Sequence, residues 1–207
     1  MAAYRFPALQ GETTVYLASA SPRRRELLGE MGVAFSLSPC EVDEHTDPAV
    51  HPADAVVLLS VRKARAAHAL HEGEDAFILA SDTLVEIGGV PLGKPEDEAH
   101  AKAMLLSLSG KTHHVHTGVA IIYRGRVHAA RDTTAVRMRD FDEDEALAYI
   151  ATGEPMDKAG AYGIQGLGGR LVEGTEGEFD TVVGLPTKLV DELLCRALLH
   201  PEAGEPL

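Results

Sequence analysis

The chain has 207 residues, with 19 Lys plus Arg against 32 Asp plus Glu, a formal net charge of −13. With 45% apolar and 25% charged residues it has the composition of a folded globular protein, which excludes a disordered chain. The negative balance excludes a general binder of nucleic acid or of anionic membrane, because both need a broad basic surface. A local basic pocket on an acidic protein stays compatible with that balance. The length suits one domain or a tightly joined pair, large enough to bury a core without staples. Cys40 and Cys195 lack CxxC spacing, so they predict neither a zinc site nor a disulfide framework. No apolar run approaches the roughly 18 residues that span a bilayer, and the N-terminus lacks the basic-then-apolar layout of a signal peptide. A cytoplasmic location with no membrane partner is the expectation.

In chain order, residues 1–12 and 201–207 read as flexible tails around a single domain over 13–200. The run over 14–18 predicts a strand. A helix follows over 22–31, with Ser21 as its cap and Pro22 in its first turn. A short strand is expected over 35–38. Pro52 opens a long helix to about residue 70, with an apolar stripe of Val56, Leu59, Ala66, Ala67 and Leu70. A strand over 77–87 ends at the turn signal Gly88-Gly89, and Glu96, Asp97 and Glu98 suit the positive end of the next helix. Strands over 112–123 and 126–138 flank Arg124-Gly125, a hairpin signal. A helix over 142–151, a glycine-rich stretch over 160–169, a strand at 182–183 and a closing helix from Pro186 to 199 complete the chain. A hairpin combined with βα alternation predicts an α/β fold on a mixed sheet.

The sharpest local signal is Ser19-Ala20-Ser21-Pro22-Arg23-Arg24-Arg25. Three arginines in the first turn of a helix oppose the macrodipole at about 0.3–1 kcal/mol each. Cations beside free helix N–H groups suit a docked anion, and the alternative is a basic surface patch. By helical spacing Arg24 faces inward with Leu27 and Leu28, whereas Arg25 faces solvent. Next, Asp82 and its neighbours Ser81 and Thr83 interrupt an apolar strand, where a carboxylate is costly unless paired or metal-bound. Lys63 lies on the stripe of the long helix and either snorkels or serves a site. Lys94 in Gly93-Lys94-Pro95 precedes a helix, and Glu44 in Val42-Asp43-Glu44 follows a strand. Taken alone, each of these is an ordinary loop charge. The stretch 153–166 sets glycines around Lys158 and Gln165, either a backbone cradle or a turn-rich connector. An amide such as that of Gln165 carries both donor and acceptor, as a base edge requires.

Three features are set aside. Ser109-Gly110-Lys111-Thr112 imitates the end of a P-loop, but Leu105 stands where the leading glycine belongs. The glycines of 160–169 do not form GxGxxG. His114 and His116 share a strand face, which reads as a polar face before it reads as a metal pair.

Together these segments resemble the Maf family of nucleoside triphosphate pyrophosphatases. The resemblance runs through SASPRRRELL from Ser19, SDTLV from Ser81, LGKP from Leu92, LSGKTHHVHTGV from Leu108, GEPMDKAGAYGIQG from Gly153 and VVGLP from Val182. It spans about residues 14–195. It implies an elongated mixed sheet with flanking helices and two lobes around a deep cleft, the Maf/ITPase-like architecture, in a homodimer. SPRR, SDT and KAGAYGIQG look like the branch acting on dTTP and UTP. By resemblance Asp82 is the catalytic proton acceptor, with Lys63 and Lys94 beside it. Ser21, Arg23, Arg24, Thr83 and Gln165 bind substrate, and Arg23, Thr83 and Gln165 set its choice. Glu44 and Asp82 are the candidate ligands of Mg²⁺ or Mn²⁺, which leaves Asp82 as base, as metal ligand or as both. The expected reaction is water attack at the α-phosphorus, leaving a nucleoside monophosphate and pyrophosphate. A pyrophosphatase for another nucleotide, such as 7-methyl-GTP, and a nucleotide-binding regulator of septum formation are the competing expectations. The family pattern is departed from at Ala20, where Gly is common, and at Glu178-Phe179, where Ser-Tyr is usual.

Overall fold

The computed structural model describes residues 14–207, so the tail expected over 1–12 lies outside the described residues. One sheet organises the fold, with strand order β2-β1-β3-β5-β6-β7. Its strands are β1 (Thr14–Leu17), β2 (Ser36–Leu37), β3 (Ala76–Ile87), β5 (Thr112–Tyr123), β6 (Arg126–Met138) and β7 (Val172–Glu176). Two short strands join its edges, β4 (Val90–Leu92) on β3 and β8 (Glu205–Pro206) on β6. β1 runs parallel to β2 and β3, and the other pairs are antiparallel. The sheet is therefore mixed, as the alternation of hairpin and βα units predicts.

The β5–β6 hairpin is the longest pairing, from Thr112 opposite Arg137 to Tyr123 opposite Arg126. Its two-residue turn places Arg124 at φ 47° and Gly125 at φ 69°. Two successive left-handed residues give the turn whose twist matches that of the flanking strands.

Helices cover both faces. α1 (Pro22–Glu30) and α6 (Thr187–Leu199) press Leu27, Leu28, Val190 and Leu194 onto Phe77, Leu79, Val119 and Ile121. α2 (Pro52–His68) lies on the opposite face, where Ala64 and Ala67 meet Ile78, Ala80, Ala120 and Ile122. Small residues on both sides bring helix and sheet close. At Gly118 of β5 a Cβ would stand 2.2 Å from the Val56 carbonyl oxygen, so only glycine fits under α2. A second core forms at the far end of the same long strands. There α3 (Glu98–Leu108) and α4 (Glu143–Ile150) bury Leu105, Leu108, Tyr149 and Ile150 against Val85, Val115, Val136 and Met138. Two cores on one sheet leave a cleft between them.

The cleft has a topological cause. β1 pairs with β3 only from Ala76 to Leu79, and β4 takes up the same edge only from Val85 to Ile87. Residues 80–84 of β3 therefore face the gap on that edge while β5 holds them on the other. Asp82 and Thr83 lie in this stretch.

Four sequence expectations are corrected. Val182 and Val183 belong to a short helix, α5 (Phe179–Val183), not to a strand. A two-residue apolar run cannot distinguish the two, and the turn into Gly184 closes a helical end here. β7 was not expected, because VEGTE has one apolar side chain and a central glycine. It is a polar edge strand held by ladder bonds and by the Arg137–Glu173 pair at 2.9 Å. Residues 201–207 are not a loose tail, since a 3-10 turn at Pro201–Ala203 leads into β8, which pairs Glu205 with Val127. On α2 the buried face is Ala53, Val56, Leu59, Ser60, Ala64 and Ala67, whereas Leu70 is 67% exposed, because α2 ends at His68.

Candidate active site

A cavity of about 1040 Å³ opens between the two cores. Each of its walls is set by an element just described. β1 ends at Leu17, and the chain leaves the sheet through Ser19 and Ser21 into α1. Ser21 caps α1, its hydroxyl accepting from the Arg24 N–H at 3.5 Å. This puts Arg23 and Arg24 on the cavity wall.

The Arg24 guanidinium is held in a fixed frame. Its Nε donates to the Gly184 carbonyl at 2.8 Å, one terminal nitrogen donates to Thr83 Oγ1 at 3.1 Å, and the other to Ser19 Oγ at 3.4 Å. Gly184 also accepts from the Ser81 hydroxyl at 2.9 Å. The end of α5 thus orients Arg24 from the far side of the chain. The hydroxyl network beyond Arg24 has one consistent proton assignment. Thr117 donates to the Thr181 carbonyl at 2.7 Å, so the 3.0 Å contact between Thr83 and Thr117 has Thr83 as donor. Thr83 then accepts from Arg24 and keeps one lone pair toward the cavity.

Asp82 lies on the opposite face of β3, toward α2. Lys63 Nζ donates to its Oδ1 at 2.5 Å and pairs with Glu44 Oε1 at 2.7 Å. One half-buried ammonium thus bridges two carboxylates with different surroundings. Burial pushes the Asp82 carboxyl above its ordinary pKa, and the charges of Lys63 and Arg24 offset only part of that. Glu44 is far more exposed, and its hydrogen bond to Lys63 draws it below the ordinary range. The buried carboxyl therefore takes up a proton first, while the exposed one stays anionic.

The opposite wall comes from two loops. Lys94 is exposed on the loop after β4, and the Gly93 carbonyl of that loop accepts from the Gly160 N–H at 3.0 Å. Gln165 projects from the glycine-rich loop and is exposed. Tyr162 of this loop meets the buried His113 at 2.8 Å.

The sequence profile described as Maf-like protein matches residues 14–197. The chain belongs to the Maf-like family. Curated relatives named dTTP/UTP pyrophosphatase include one from Moorella thermoacetica, 51% identical over 86% of this chain and 92% of its own length. Another, from Vibrio cholerae, is 49% identical over 86% of this chain and 95% of its own. A third, from Thermococcus kodakarensis, is 47% identical over 86% of this chain and 93% of its own.

In this Maf-like chain the residues singled out from the sequence converge. Ser21, Arg23, Arg24, Glu44 and Lys63 line the cavity, as do Asp82, Thr83, Lys94 and Gln165. Arg24 turns inward and Arg25 is exposed, as helical spacing predicts. The cavity also takes in Glu41, Glu154, Asp157 and Tyr162, which the sequence reading did not single out. Glu154 carried a usable signal, an acidic residue directly ahead of a glycine-rich stretch. Glu41 carried none.

The P-loop imitation and the histidine pair lie elsewhere. Lys111 folds its Nζ back onto the Ser107 carbonyl at 2.9 Å, at the turn between α3 and β5. His114 Nδ1 lies 3.1 Å from Glu86 Oε1, and among the described residues no group of three or more His, Cys, Asp or Glu is arranged to hold a metal ion. Cys40 and Cys195 are free thiols. Among the described residues no helix is long and apolar enough to cross a membrane.

The Lys63 contacts yield a pH prediction. A Lys63→Met variant removes the cation that opposes the burial effect on Asp82. The acid limb of its kcat/KM profile should move to higher pH. A limb that stays in place would separate Lys63 from the titrating group.

Proposed function

We propose that this chain is a nucleoside triphosphate pyrophosphatase for dTTP and UTP, acting in nucleotide-pool housecleaning as a cytoplasmic homodimer without nucleic-acid or membrane partners. The observation that carries the reading is the convergence of a buried, hard-to-ionise Asp82 with the cations of Arg23, Arg24, Lys63 and Lys94 in one cavity. The names of the curated relatives point the same way.

A triphosphate carries about four negative charges, and bound Arg and Lys groups neutralise charge best where water is excluded. Arg23 and Arg24 face the phosphates beside the first turn of α1, with Lys94 opposite. Asp82 is suited to accept the proton of the attacking water, because a carboxyl raised toward neutrality is a stronger base than an ordinary one. Attack at the α-phosphorus then breaks the bond to the β-phosphoryl oxygen, and pyrophosphate leaves. The Thr83 hydroxyl donates its hydrogen bond to Thr117, so toward a pyrimidine it can only accept, which matches the base N3–H. The O4 oxygen falls to the amide N–H of Gln165.

The donor set suits Mg²⁺ or Mn²⁺, since such ions are commonly held by one or two carboxylates with phosphate oxygens and waters completing the shell. Glu44, the exposed carboxylate that stays anionic, would hold it, with Asp82 as second ligand in a state where Asp82 is not the proton acceptor. Bound there, it would neutralise phosphate charge.

The test is pyrophosphate release from dTTP, UTP, CTP, GTP, 7-methyl-GTP and pseudo-UTP with Mg²⁺ or Mn²⁺. Turnover of dTTP and UTP that stops on chelation is the expected result. Preferred turnover of 7-methyl-GTP would overturn the base reading and keep the phosphate chemistry. Tight nucleotide binding without turnover would replace the enzyme by a regulator.

A further inference from the structure

The loop that carries Gln165 lies between two 3-10 turns, Ala159–Ala161 and Leu167–Leu171, and has no ladder to hold it. Beside its own Gly166 N–H to Gly163 carbonyl bond at 3.3 Å, backbone N–H groups flanking Gln165 reach one carboxylate, directly or through a tyrosine hydroxyl. Glu154 Oε1 accepts from the Tyr149 hydroxyl at 2.8 Å and from the Gly168 N–H at 3.1 Å. Its Oε2 accepts from the Leu167 N–H at 2.9 Å. The Tyr149 oxygen in turn accepts from the Gly163 N–H at 3.1 Å. The chain is thus tied on both sides of Gln165 to the same pair of side chains.

The loop is wrapped tightly around that pair. A Cβ at Gly166 would lie 2.4 Å from Glu154 Oε1, and one at Gly168 would lie 2.5 Å from the Tyr149 oxygen. Burial raises the Glu154 carboxyl, but the Leu167 and Gly168 N–H groups and the Tyr149 hydroxyl outweigh it and leave the group below its ordinary range. Burial keeps the Tyr149 hydroxyl protonated. Gln165 itself is exposed in the cavity, so its position is set by its backbone.

We propose that Glu154, together with Tyr149, is the positioning device that sets base selectivity, by fixing the backbone on both sides of Gln165. This rests on the pyrimidine triphosphate reading. Only a carboxylate offers acceptors to both N–H groups and the hydroxyl. A Glu154→Gln side chain has one acceptor oxygen and turns an NH₂ toward a backbone N–H, donor against donor. The loop then loses its register while Arg23, Lys94 and Asp82 keep theirs.

The experiment compares wild type, Glu154→Gln and Tyr149→Phe for pyrophosphate release from dTTP, UTP and GTP. In Glu154→Gln, kcat/KM for dTTP and UTP should fall about tenfold to a hundredfold, mostly through KM, as expected for a lost charge-assisted bond. The GTP value should change by less than about threefold, since its phosphates meet unaltered groups. Tyr149→Phe should shift selectivity the same way by a smaller factor, and it carries the comparison if Glu154→Gln does not fold. Amide hydrogen exchange in the nucleotide-free protein gives an independent readout. The Gly163, Leu167 and Gly168 amides should lose protection in Glu154→Gln, with the β5 and β6 amides unchanged. An equal loss on all three nucleotides, or unchanged selectivity with the loop released, would overturn the proposal. If wild type turns over neither dTTP nor UTP, the pyrimidine reading fails separately. The variants are then compared on the nucleotide wild type hydrolyses best, where a selective loss supports the positioning role and a uniform loss ends it.

Discussion

Replacing Asp82 by asparagine is expected to lower kcat/KM for pyrophosphate release by at least about a hundredfold, the usual range for removing a general base. Asparagine keeps the shape and cannot accept the proton of the attacking water. The geometry makes this a clean substitution. Lys63 keeps Glu44 at 2.7 Å as its counter-ion, so no buried charge is stranded. A loss smaller than about tenfold would remove Asp82 from the chemistry. Stability should move the other way. Burial raises the Asp82 pKa, so the folded chain binds this proton more tightly than the unfolded chain does. The contribution of this group to stability is whole below the ordinary carboxylate range and falls as pH rises through the raised folded value. At neutral pH the ionised form therefore costs stability, and the asparagine variant should unfold at or above the wild-type temperature. Thermal melts at pH 7 beside the rate assay measure both effects. An inactive variant that also melts well below wild type would indicate a damaged fold and leave the role of Asp82 unsupported.

Gly118→Ala should produce the largest stability loss of any single methyl group in the sheet. The new Cβ would meet the Val56 carbonyl oxygen at 2.2 Å, the Val56 carbonyl carbon at 2.5 Å and the Val57 nitrogen at 2.8 Å. All three are backbone atoms of α2, and no side-chain rotation can relieve the clash. Either α2 lifts from the sheet or β5 bows away, at a cost of about 3 kcal/mol or more. For a chain of this size that lowers Tm by roughly 6–12 °C. The effect reaches the site, because α2 also carries Lys63. A helix displaced by a fraction of an ångström breaks the 2.5 Å contact to Asp82. Activity should therefore fall even at temperatures where the variant is folded. Calorimetry together with kcat/KM at low temperature tests this, and a variant with wild-type Tm would refute the close approach of α2 to β5.

How much of this was legible before folding differs from element to element. The β5–β6 hairpin was readable because two long apolar runs flank a two-residue turn, and local chemistry determines such a pairing. α1 was readable because Ser21 and Pro22 mark its start. Residues 182–183 misled, because their apolar character comes from packing into the core and says nothing about backbone geometry. β7 was invisible for the converse reason. Its ladder with β6 supplies the order that its side chains do not encode.

The site divides in the same way. Arg23, Asp82 and Gln165 stood out by being out of place: cations at the wrong helix end, a carboxylate in an apolar strand, an amide among glycines. Oddities of this kind are local, and the sequence by itself determined that they exist and which chemistry each can supply. It determined the mixed α/β pattern as well. Only the tertiary structure decided that they share one cavity, since they come from a helix, a strand and a loop up to 142 positions apart, from Arg23 to Gln165. It decided that Lys63 bridges Asp82 and Glu44, that Thr83 donates its hydrogen bond to Thr117, and that Glu154 gathers the loop around Gln165. The physical reason is the same in each case. A residue type states what a side chain can donate, accept or hold as charge, whereas burial and the identity of its neighbours set which of those capacities is used. Both follow from the gap that β1 and β4 leave along β3, and no stretch of the chain records that gap locally.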